Sequence, residues 1–223
     1  MLRKPDYKHA MKTAYGLFEE FGIHSFPVST FDIFKQLCIP CCTYSQVIMK
    51  APQYTEFITY ISKITDGFSY KTKDSENPYI VLYNDEAYEE RIPFTLAHEL
   101  GHILLRHHYI DPPVGFCLPC SASCKDYRDI EADCFAGALL RPAYLISLLH
   151  LNVDEVHDIF HVSRGCAETG IKIARTQFGV NPRKTHRDLT EYFNNQFPEF
   201  LGEMFNSKCG ISYGGAFSSY LAL

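Results

Sequence analysis

The amino-acid sequence predicts an α+β fold, in which a small antiparallel or mixed sheet packs against helices. Residues 68–72 alternate in polarity, residues 79–83 are apolar or aromatic, and a short polar turn joins them, so an antiparallel hairpin is expected. Apolar residues recur at helical spacing on both sides of this hairpin. One of these helical segments, residues 94–106, contains an H-E-x-x-H motif, and an acidic helix follows it in the sequence.

The segment that precedes the hairpin predicts three helices and one strand. Its first helix has apolar residues one turn apart and stops at a glycine, which readily adopts the left-handed backbone of a helix end. Its second helix begins at a hydroxyl side chain that can cap the free N–H groups of the first turn. These elements are a helix over residues 6–22, a helix capped by Ser29 or Thr30, a strand over residues 39–44 and a helix over residues 52–64.

The segment that follows the hairpin is predicted to be mainly helical. The motif helix should begin near residues 90–93, since a proline is tolerated in a first turn. The later elements are a loop over residues 109–124, a helix over residues 125–141 that Pro142 ends, a short helix through Leu145 and Leu148, and two helical patterns within residues 152–176. Residues 182–223 show no clear pattern, and residues 210–219 are rich in glycine and serine and are expected to be loose.

The composition indicates a globular protein with no electrostatic preference for nucleic acid. Of the 223 residues, 46% are hydrophobic and 21% are charged, which suits a packed core and argues against disorder. The formal net charge of -5 gives no general reason to bind nucleic acid or an anionic membrane. The first residues are polar and no apolar run approaches the length of a membrane span, so a cytoplasmic protein without a signal peptide is expected.

The H-E-x-x-H motif predicts a metal site. Residues four apart share one face of a helix, so His98 and His102 can direct both imidazoles at one ion. Glu99 lies one step round the helix, where it can act as general base on a water molecule without ligating the metal. The alternative is a helix with two structural histidines. The apolar surroundings disfavour it, because burying two imidazoles and a carboxylate without a shared partner is costly.

A third protein ligand is expected, because catalytic zinc is held by three side chains and a water molecule. Asp129 and Asp133 share one face of the acidic helix, so Asp129 can ligate the metal while Asp133 hydrogen-bonds a ligating imidazole. Glu131 is an alternative ligand, although it points to a different face of a regular helix. His107 and His108 are weaker alternatives, because their spacing from the motif on one continuous helix would turn them away from the ion.

The cysteines raise the question of a second metal site. The chain has nine of them, an odd number, and in a reducing compartment these are thiols or metal ligands. Cys117, Cys120 and Cys124 follow the motif helix with the spacing of half a structural zinc site, but no second half follows. Incidental thiols in a loop are therefore the favoured interpretation.

These motifs resemble, in kind and in order, those of the ImmA/IrrE family of metallopeptidases, which are small gluzincin-like proteins. The resemblance covers roughly residues 8–176. The family usually carries glutamate where this chain has Asp129, so the acidic helix must sit closer to the motif helix or the ion must shift. The matching residues are Gly22, Ile23, Phe26, Pro27 and Val28, then Asp66, Gly67, Phe68 and the strand over 79–83, then Glu90, Arg91 and the stretch over 94–105, and finally the helix over 131–142.

The resemblance implies a minimal zincin fold and a zinc endopeptidase. The sheet would pack on the motif helix and the ligand helix, within a metallopeptidase domain over residues 1–150. A helix-turn-helix-like subdomain over residues 151–190 and a partly irregular extension over residues 191–223 would follow. Zn²⁺ would be held by His98, His102 and Asp129, with Glu99 as base and Asp133 supporting an imidazole. Manganese or iron suits the same ligands.

The resemblance also implies a protein substrate, namely a DNA-binding helix-turn-helix repressor of a mobile element or stress-response locus. With a net charge of -5, we expect the helical subdomain to meet protein rather than DNA. Tyr127 and Arg128 are candidates to stabilise the oxyanion, and a hairpin strand could hold the substrate as an added strand. Two other functions stay open: a non-catalytic metal-binding regulator that binds the repressor without cleaving it, and a zinc hydrolase that acts on something other than peptides.

Overall fold

The computed structural model describes residues 3–73, 78–109, 126–179 and 181–209. Its strands are β1 (Cys41–Thr43), β2 (Gly67–Lys71) and β3 (Tyr79–Tyr83). The helices up to and including the motif are α1 (Tyr7–Glu20), α2 (Thr30–Gln36), α3 (Tyr44–Lys50), α4 (Thr55–Ile61) and α5 (Ile92–Leu104). The later helices are α6 (Tyr127–Leu140), α7 (Ala143–Leu148), α8 (Val153–Phe160), α9 (Arg164–Gln177), α10 (Pro182–Thr185), α11 (Arg187–Gln196) and α12 (Pro198–Cys209).

The sheet is mixed, with strand order β1-β3-β2. β2 pairs antiparallel with β3, Phe68 lying opposite Leu82, so the predicted hairpin is confirmed. β1 pairs parallel with β3, Cys41 lying opposite Val81. β3 is therefore the central strand, and β2 is an edge strand that packs against α5. This arrangement agrees with the predicted α+β class.

The first two helices follow the predicted pattern. The apolar residues of α1 that recur one turn apart, including Ala10, Ala14 and Phe18, are buried. The chain leaves this helix at Gly22, whose φ of +59° is the left-handed conformation that glycine adopts without strain. Ser29 caps α2, since its side chain accepts a hydrogen bond from the backbone N–H of Asp32.

The helix predicted over residues 52–64 is confirmed as one turn of 3-10 helix followed by α4, which ends at Ile61, whereas the helix before it was not predicted. Helix α3 starts directly after β1, where Thr43 and Gln46 form a reciprocal capping box. Pro52 then begins one turn of 3-10 helix, and α4 follows it. Because proline has no backbone N–H and suits only a first turn, the helical stretch is divided at this point. The predicted strand over residues 39–44 is correspondingly shorter, and its last residue belongs to α3.

Helices α5 and α6 approach each other closely, and this contact builds the candidate site. A Cβ placed on Gly101 of α5 would lie 3.1 Å from Cδ1 of Phe135 and 3.2 Å from Cα of Ala132. Ala132 and Ala136, on α6, are fully buried. Small residues on both helices therefore let the two backbones pack side by side.

Most buried apolar side chains form one core, which extends from α1 through α5 and α6 to α11. A smaller cluster of Tyr44, Ile58, Ile61 and Phe68 lies between α3, α4 and β2. Gln196 of α11 donates hydrogen bonds to the carbonyls of Phe18 and Ile23, at 3.0 and 2.8 Å, and so anchors the C-terminal helices to α1.

The C-terminal part contains more helix than its sequence suggested. Helices α8 and α9 are joined by residues 161–163, and Ser163 caps α9. The described part of the extension expected to be partly irregular, over residues 191–223, contains the end of α11 and all of α12. The predicted loop over 109–124 with its three cysteines lies almost wholly outside the described residues, and the glycine-rich stretch over 210–219 lies entirely outside them. Each helix of the described ranges is too short or too polar to cross a membrane.

Candidate metal centre

Helix α5 brings its two motif histidines together. The Nε2 atoms of His98 and His102 lie 3.0 Å apart, with the ring centroids 4.7 Å apart. Two nitrogen lone pairs at this distance repel, so a proton or a cation has to lie between them. Two nitrogens bound to one tetrahedral zinc ion stand about 3.3 Å apart, which is close to the observed separation.

Helix α6 adds a carboxylate to the two imidazoles. Oδ1 of Asp129 lies 3.5 Å from Nε2 of His102, and ligand atoms of His98, His102 and Asp129 all lie within 4.8 Å of one another. His102 and Asp129 are buried, and His98 is partly exposed. Two imidazoles and one carboxylate form the donor set of a catalytic zinc site with an open fourth position, so the residues fit a zinc ion.

Asp133 contacts the outer nitrogen of His98, which is Nδ1, the ring nitrogen that does not face His102. Nδ1 of His98 lies 2.8 Å from Oδ1 of Asp133, so the imidazole donates its Nδ1–H to the carboxylate. The lone pair of His98 Nε2 is then free to face the candidate ion, and the ring cannot rotate without losing the bond. Asp129 and Asp133 thus lie on one face of α6, as their spacing predicted.

His107 contacts the outer nitrogen of His102, Nδ1, but His107 itself does not belong to the motif helix. Helix α5 ends at Leu104, Arg106 adopts a φ of +60°, and one turn of 3-10 helix begins at His107. The expectation that His107 and His108 continue the motif helix is therefore wrong. Nδ1 of His107 lies 2.9 Å from Nδ1 of His102.

Glu131 contacts His107 instead of the candidate ion. Its Oε2 lies 2.9 Å from Nε2 of His107, and its Oε1 accepts the backbone N–H of Asp6 at 2.6 Å. Both carboxylate oxygens are therefore engaged away from His98 and His102. The geometry places Asp129, and not Glu131, beside the two imidazoles.

The candidate base, Glu99, is buried and held by the sheet. Ser69 of β2 donates its hydroxyl proton to Oε2 of Glu99 at 2.7 Å. The Oγ of Ser69 also lies 3.1 Å from Nε2 of His108, and all three side chains are almost inaccessible to solvent. Since the hydroxyl proton goes to Glu99, the ring of His108 donates to Ser69.

Electrostatics at the centre favour a cation between the imidazoles. Burial lowers the pKa of His98, but the hydrogen bond to Asp133 and the negative charges of Glu99 and Asp129 raise it further than burial lowers it. Burial and the neighbouring histidines lower the pKa of His102 to about 3, so this ring stays neutral. Burial raises the pKa of Asp129, yet His102 and His98 lower it overall. The centre therefore combines an ionised carboxylate with a neutral imidazole, which suits a metal ion.

The pKa of the candidate base, Glu99, is raised overall, whereas that of Asp129 is lowered. Burial raises the pKa of Glu99, while the positive charge of His98 and the hydrogen bond from Ser69 lower it by less. A carboxylate with a raised pKa accepts a proton more readily near neutral pH.

The two candidates for oxyanion stabilisation are engaged elsewhere. Arg128 forms hydrogen bonds and an ion pair with Asp126, at 2.7 and 2.5 Å, at the start of α6. The ring of Tyr127 lies under the guanidinium of Arg3, 5.3 Å from its centroid. Their role in catalysis stays a prediction.

The sequence did not predict the positions of three residues at this centre: Ser69, His107 and Glu131. Ser69 had a weak signal, as a polar residue between Phe68 and Tyr70 on the strand expected beside the motif helix. His107 and Glu131 are a buried histidine and a buried acid in contact, and only the packing of the helices reveals this pair.

Comparison with known proteins adds one match. A peptidase family, described as the IrrE N-terminal-like domain, matches residues 57–172, which is more than half of the chain. The matched region begins in α4 and ends in α9, so it includes the β2–β3 hairpin and both helices that carry the candidate metal centre. A search of curated proteins found no match.

Proposed function

Because the chain belongs to the ImmA/IrrE family, we propose that it is a zinc endopeptidase that cleaves a DNA-binding transcriptional repressor. The observation that carries the proposal is the convergence of His98, His102 and Asp129 beside the buried carboxylate of Glu99. Nε2 of each histidine and a carboxylate oxygen of Asp129 would hold the ion. When bound, zinc supplies a Lewis acid that polarises a peptide carbonyl and lowers the pKa of a water molecule.

The residues of the chain supply proton transfer and orientation. Glu99 accepts the proton of the attacking water and delivers it to the leaving amine, which is the role of a buried carboxylate with a raised pKa. Ser69 holds Oε2 of Glu99, so Oε1 is the oxygen for proton transfer. Asp133 keeps His98 in the tautomer that directs Nε2 to the ion.

A peptide chain is the substrate that suits this setting. β2 is an edge strand of the sheet, and it carries Ser69, which touches the general base. An extended peptide that pairs with β2 would bring its backbone past Glu99, and pairing with a sheet edge accepts many side chains.

The family resemblance supports a helix-turn-helix repressor as the protein substrate. Helices α8 and α9 follow the site, and together they carry four acidic and three basic side chains, so they offer no basic surface to DNA. We propose that they contact the repressor protein. We also propose a cytoplasmic location, because Cys38, Cys41, Cys42, Cys134 and Cys166 are free thiols.

Cleavage by the purified chain tests the function. The substrate to use is the helix-turn-helix repressor encoded beside the gene, incubated with the zinc-loaded full chain, with and without a chelator. Cleavage is expected for the wild type and should fall by about 10²–10⁴-fold in Glu99→Gln. Glu56→Gln, a change at an exposed carboxylate on α4, is the matched control and should cleave normally.

The same variant separates catalysis from binding. If Glu99→Gln relieves repression in full and leaves the repressor intact, the chain is a non-catalytic regulator. If the repressor stays intact but a non-peptide ester is hydrolysed in a zinc-dependent way, the site is a hydrolase of another class.

A further inference from the structure

We propose that His107 and Glu131 are positioning residues that fix the tautomer of His102, so that its Nε2 presents a lone pair to the metal. This inference rests on the proposed metal centre, but it concerns residues that do not ligate the ion. The two residues come from separate parts of the chain, His107 from the turn after α5 and Glu131 from α6.

The three side chains form a continuous buried series of hydrogen bonds. Nδ1 of His102 lies 2.9 Å from Nδ1 of His107, and Nε2 of His107 lies 2.9 Å from Oε2 of Glu131. His102, His107 and Glu131 are 2%, 1% and 5% exposed, so water does not replace any of these contacts.

Only one arrangement of protons satisfies the series and leaves the ion site open. A carboxylate accepts hydrogen bonds, so Nε2 of a neutral His107 carries the proton that faces Glu131. Nδ1 of the neutral His107 ring is then an acceptor, and His102 must donate its Nδ1–H to it. A neutral His102 with a proton on Nδ1 has its lone pair on Nε2, which is the atom 3.0 Å from Nε2 of His98.

Glu131 is itself fixed in place from the N-terminal segment. Its Oε1 accepts the backbone N–H of Asp6, and Asp6 is the N-cap residue of α1. The carboxylate of Glu131, on α6, therefore joins the start of α1 to the turn after α5. It cannot rotate towards the candidate ion without leaving both donors unpaired.

The Nδ1 atoms of His98 and His102 thus donate their protons to different groups. Asp133 receives the proton of His98 directly, whereas Glu131 acts on His102 through the ring of His107. Such outer partners change metal affinity by about 10–100-fold in other proteins when they are removed. We expect a loss of that size here.

The wild-type protein tests the tautomers without any substitution. Long-range proton–nitrogen NMR correlation of the histidine rings, on the zinc-free and the zinc-loaded full chain, should show His102 protonated on Nδ1 and His107 on Nε2. A proton on Nδ1 of His107, or on Nε2 of His102 in the neutral ring, would overturn the inference. If the chain takes up no zinc, the proposed function fails, whereas the tautomers are still read from the zinc-free sample.

Variants of His107 test the consequence for the metal, measured as zinc affinity by competition with a chromophoric chelator. His107→Leu should bind zinc about 10–100-fold more weakly than the wild type. His107→Asn places an acceptor oxygen near the position of Nδ1 and should recover part of this loss. His157→Asn, which removes a half-buried histidine of α8, is the matched control and should bind like the wild type.

A folded His107→Leu variant that binds zinc as tightly as the wild type would contradict the proposal, as would equal losses in the leucine and asparagine variants. Circular dichroism and thermal unfolding show whether each variant is folded. If His107→Leu does not fold, the asparagine variant and the tautomers of the wild type decide the question.

Discussion

Nδ1 of His98 on α5 and Oδ1 of Asp133 on α6 lie 2.8 Å apart, and their hydrogen bond joins the motif helix to the ligand helix. It orients a ring whose other nitrogen faces His102 and Asp129. The contact therefore links the packing of two helices to the shape of the candidate metal site.

Removal of this contact should weaken metal binding without abolishing it. In Asp133→Ala, the ring of His98 can rotate and adopt the other tautomer, so we expect zinc affinity to fall by about 10–100-fold. Chelator competition at constant pH measures the change. Asp188→Ala, on the distant helix α11, is the control. Unchanged affinity in a folded Asp133→Ala protein would show that the hydrogen bond does not orient the ligand.

Asp129 should be essential for metal binding. Loss of its carboxylate leaves two protein ligands, which do not hold catalytic zinc. Purified Asp129→Ala should therefore contain far less than one zinc per chain, as measured by elemental mass spectrometry. The matched control is Asp126→Ala, which removes the N-cap of the same helix and should cost about 0.5–2 kcal/mol of stability while the zinc content stays unchanged. Stoichiometric zinc in Asp129→Ala would exclude Asp129 as a ligand.

The close approach of α5 to α6 should make Gly101 intolerant of a side chain. A methyl group there meets the backbone of Ala132 at 3.2 Å, so Gly101→Ala should lower the free energy of unfolding by about 1–3 kcal/mol. It should also weaken zinc binding, because the helices carry the ligands. Gly16→Ala, in α1, has no atom within 4 Å of the new methyl and should stabilise the protein by about 0.5–1 kcal/mol. Chemical denaturation measures both changes, and a neutral Gly101→Ala would contradict the packing argument.

Ser69 should set the pH at which activity is lost in acid. Glu99 acts as a base only when it is ionised, so cleavage decreases as the pH falls through its pKa. The hydrogen bond from Ser69 lowers the pKa of Glu99, against the larger effect of burial, which raises it. Ser69→Ala should therefore raise the pKa of Glu99 further and move the acid limb of the kcat/KM profile to higher pH.

The control for this shift is another buried serine. Ser147 donates its hydroxyl proton to the carbonyl of Gly179 at 2.7 Å, far from the site, so Ser147→Ala should leave the acid limb in place. An acid limb that moves to lower pH in Ser69→Ala, or does not move, would show that Ser69 does not stabilise the ionised form of Glu99.

Local patterns predicted the parts of this fold that depend on local forces. The spacing of apolar residues located α1 and the hairpin, because each of these elements buries one face. Helix α3 was missed because Cys41 to Tyr44 resemble a strand throughout, and only the capping box at Thr43 turns the chain into a helix. The parallel pairing of β1 with β3 depends on a long connection that no local pattern reveals.

The same distinction applies to the site. Helical spacing is a local property, so the motif alone placed His98 beside His102. The position of His107 could not be predicted, because residues 103–106 contain no glycine or proline to mark the end of α5. Arg106 takes the left-handed conformation there, which is uncommon outside glycine and is held by the tertiary structure. The contact of Glu131 with His107 depends in turn on that bend.

The most direct test of the metal centre is a crystal structure of the zinc-loaded chain with anomalous scattering recorded on both sides of the zinc absorption edge. The centre described here predicts one anomalous peak at about 2.0–2.2 Å from Nε2 of His98, Nε2 of His102 and a carboxylate oxygen of Asp129, with Glu131 still bound to His107. A peak coordinated by Glu131, a peak only at cysteine thiols, or no peak at full zinc loading would contradict it.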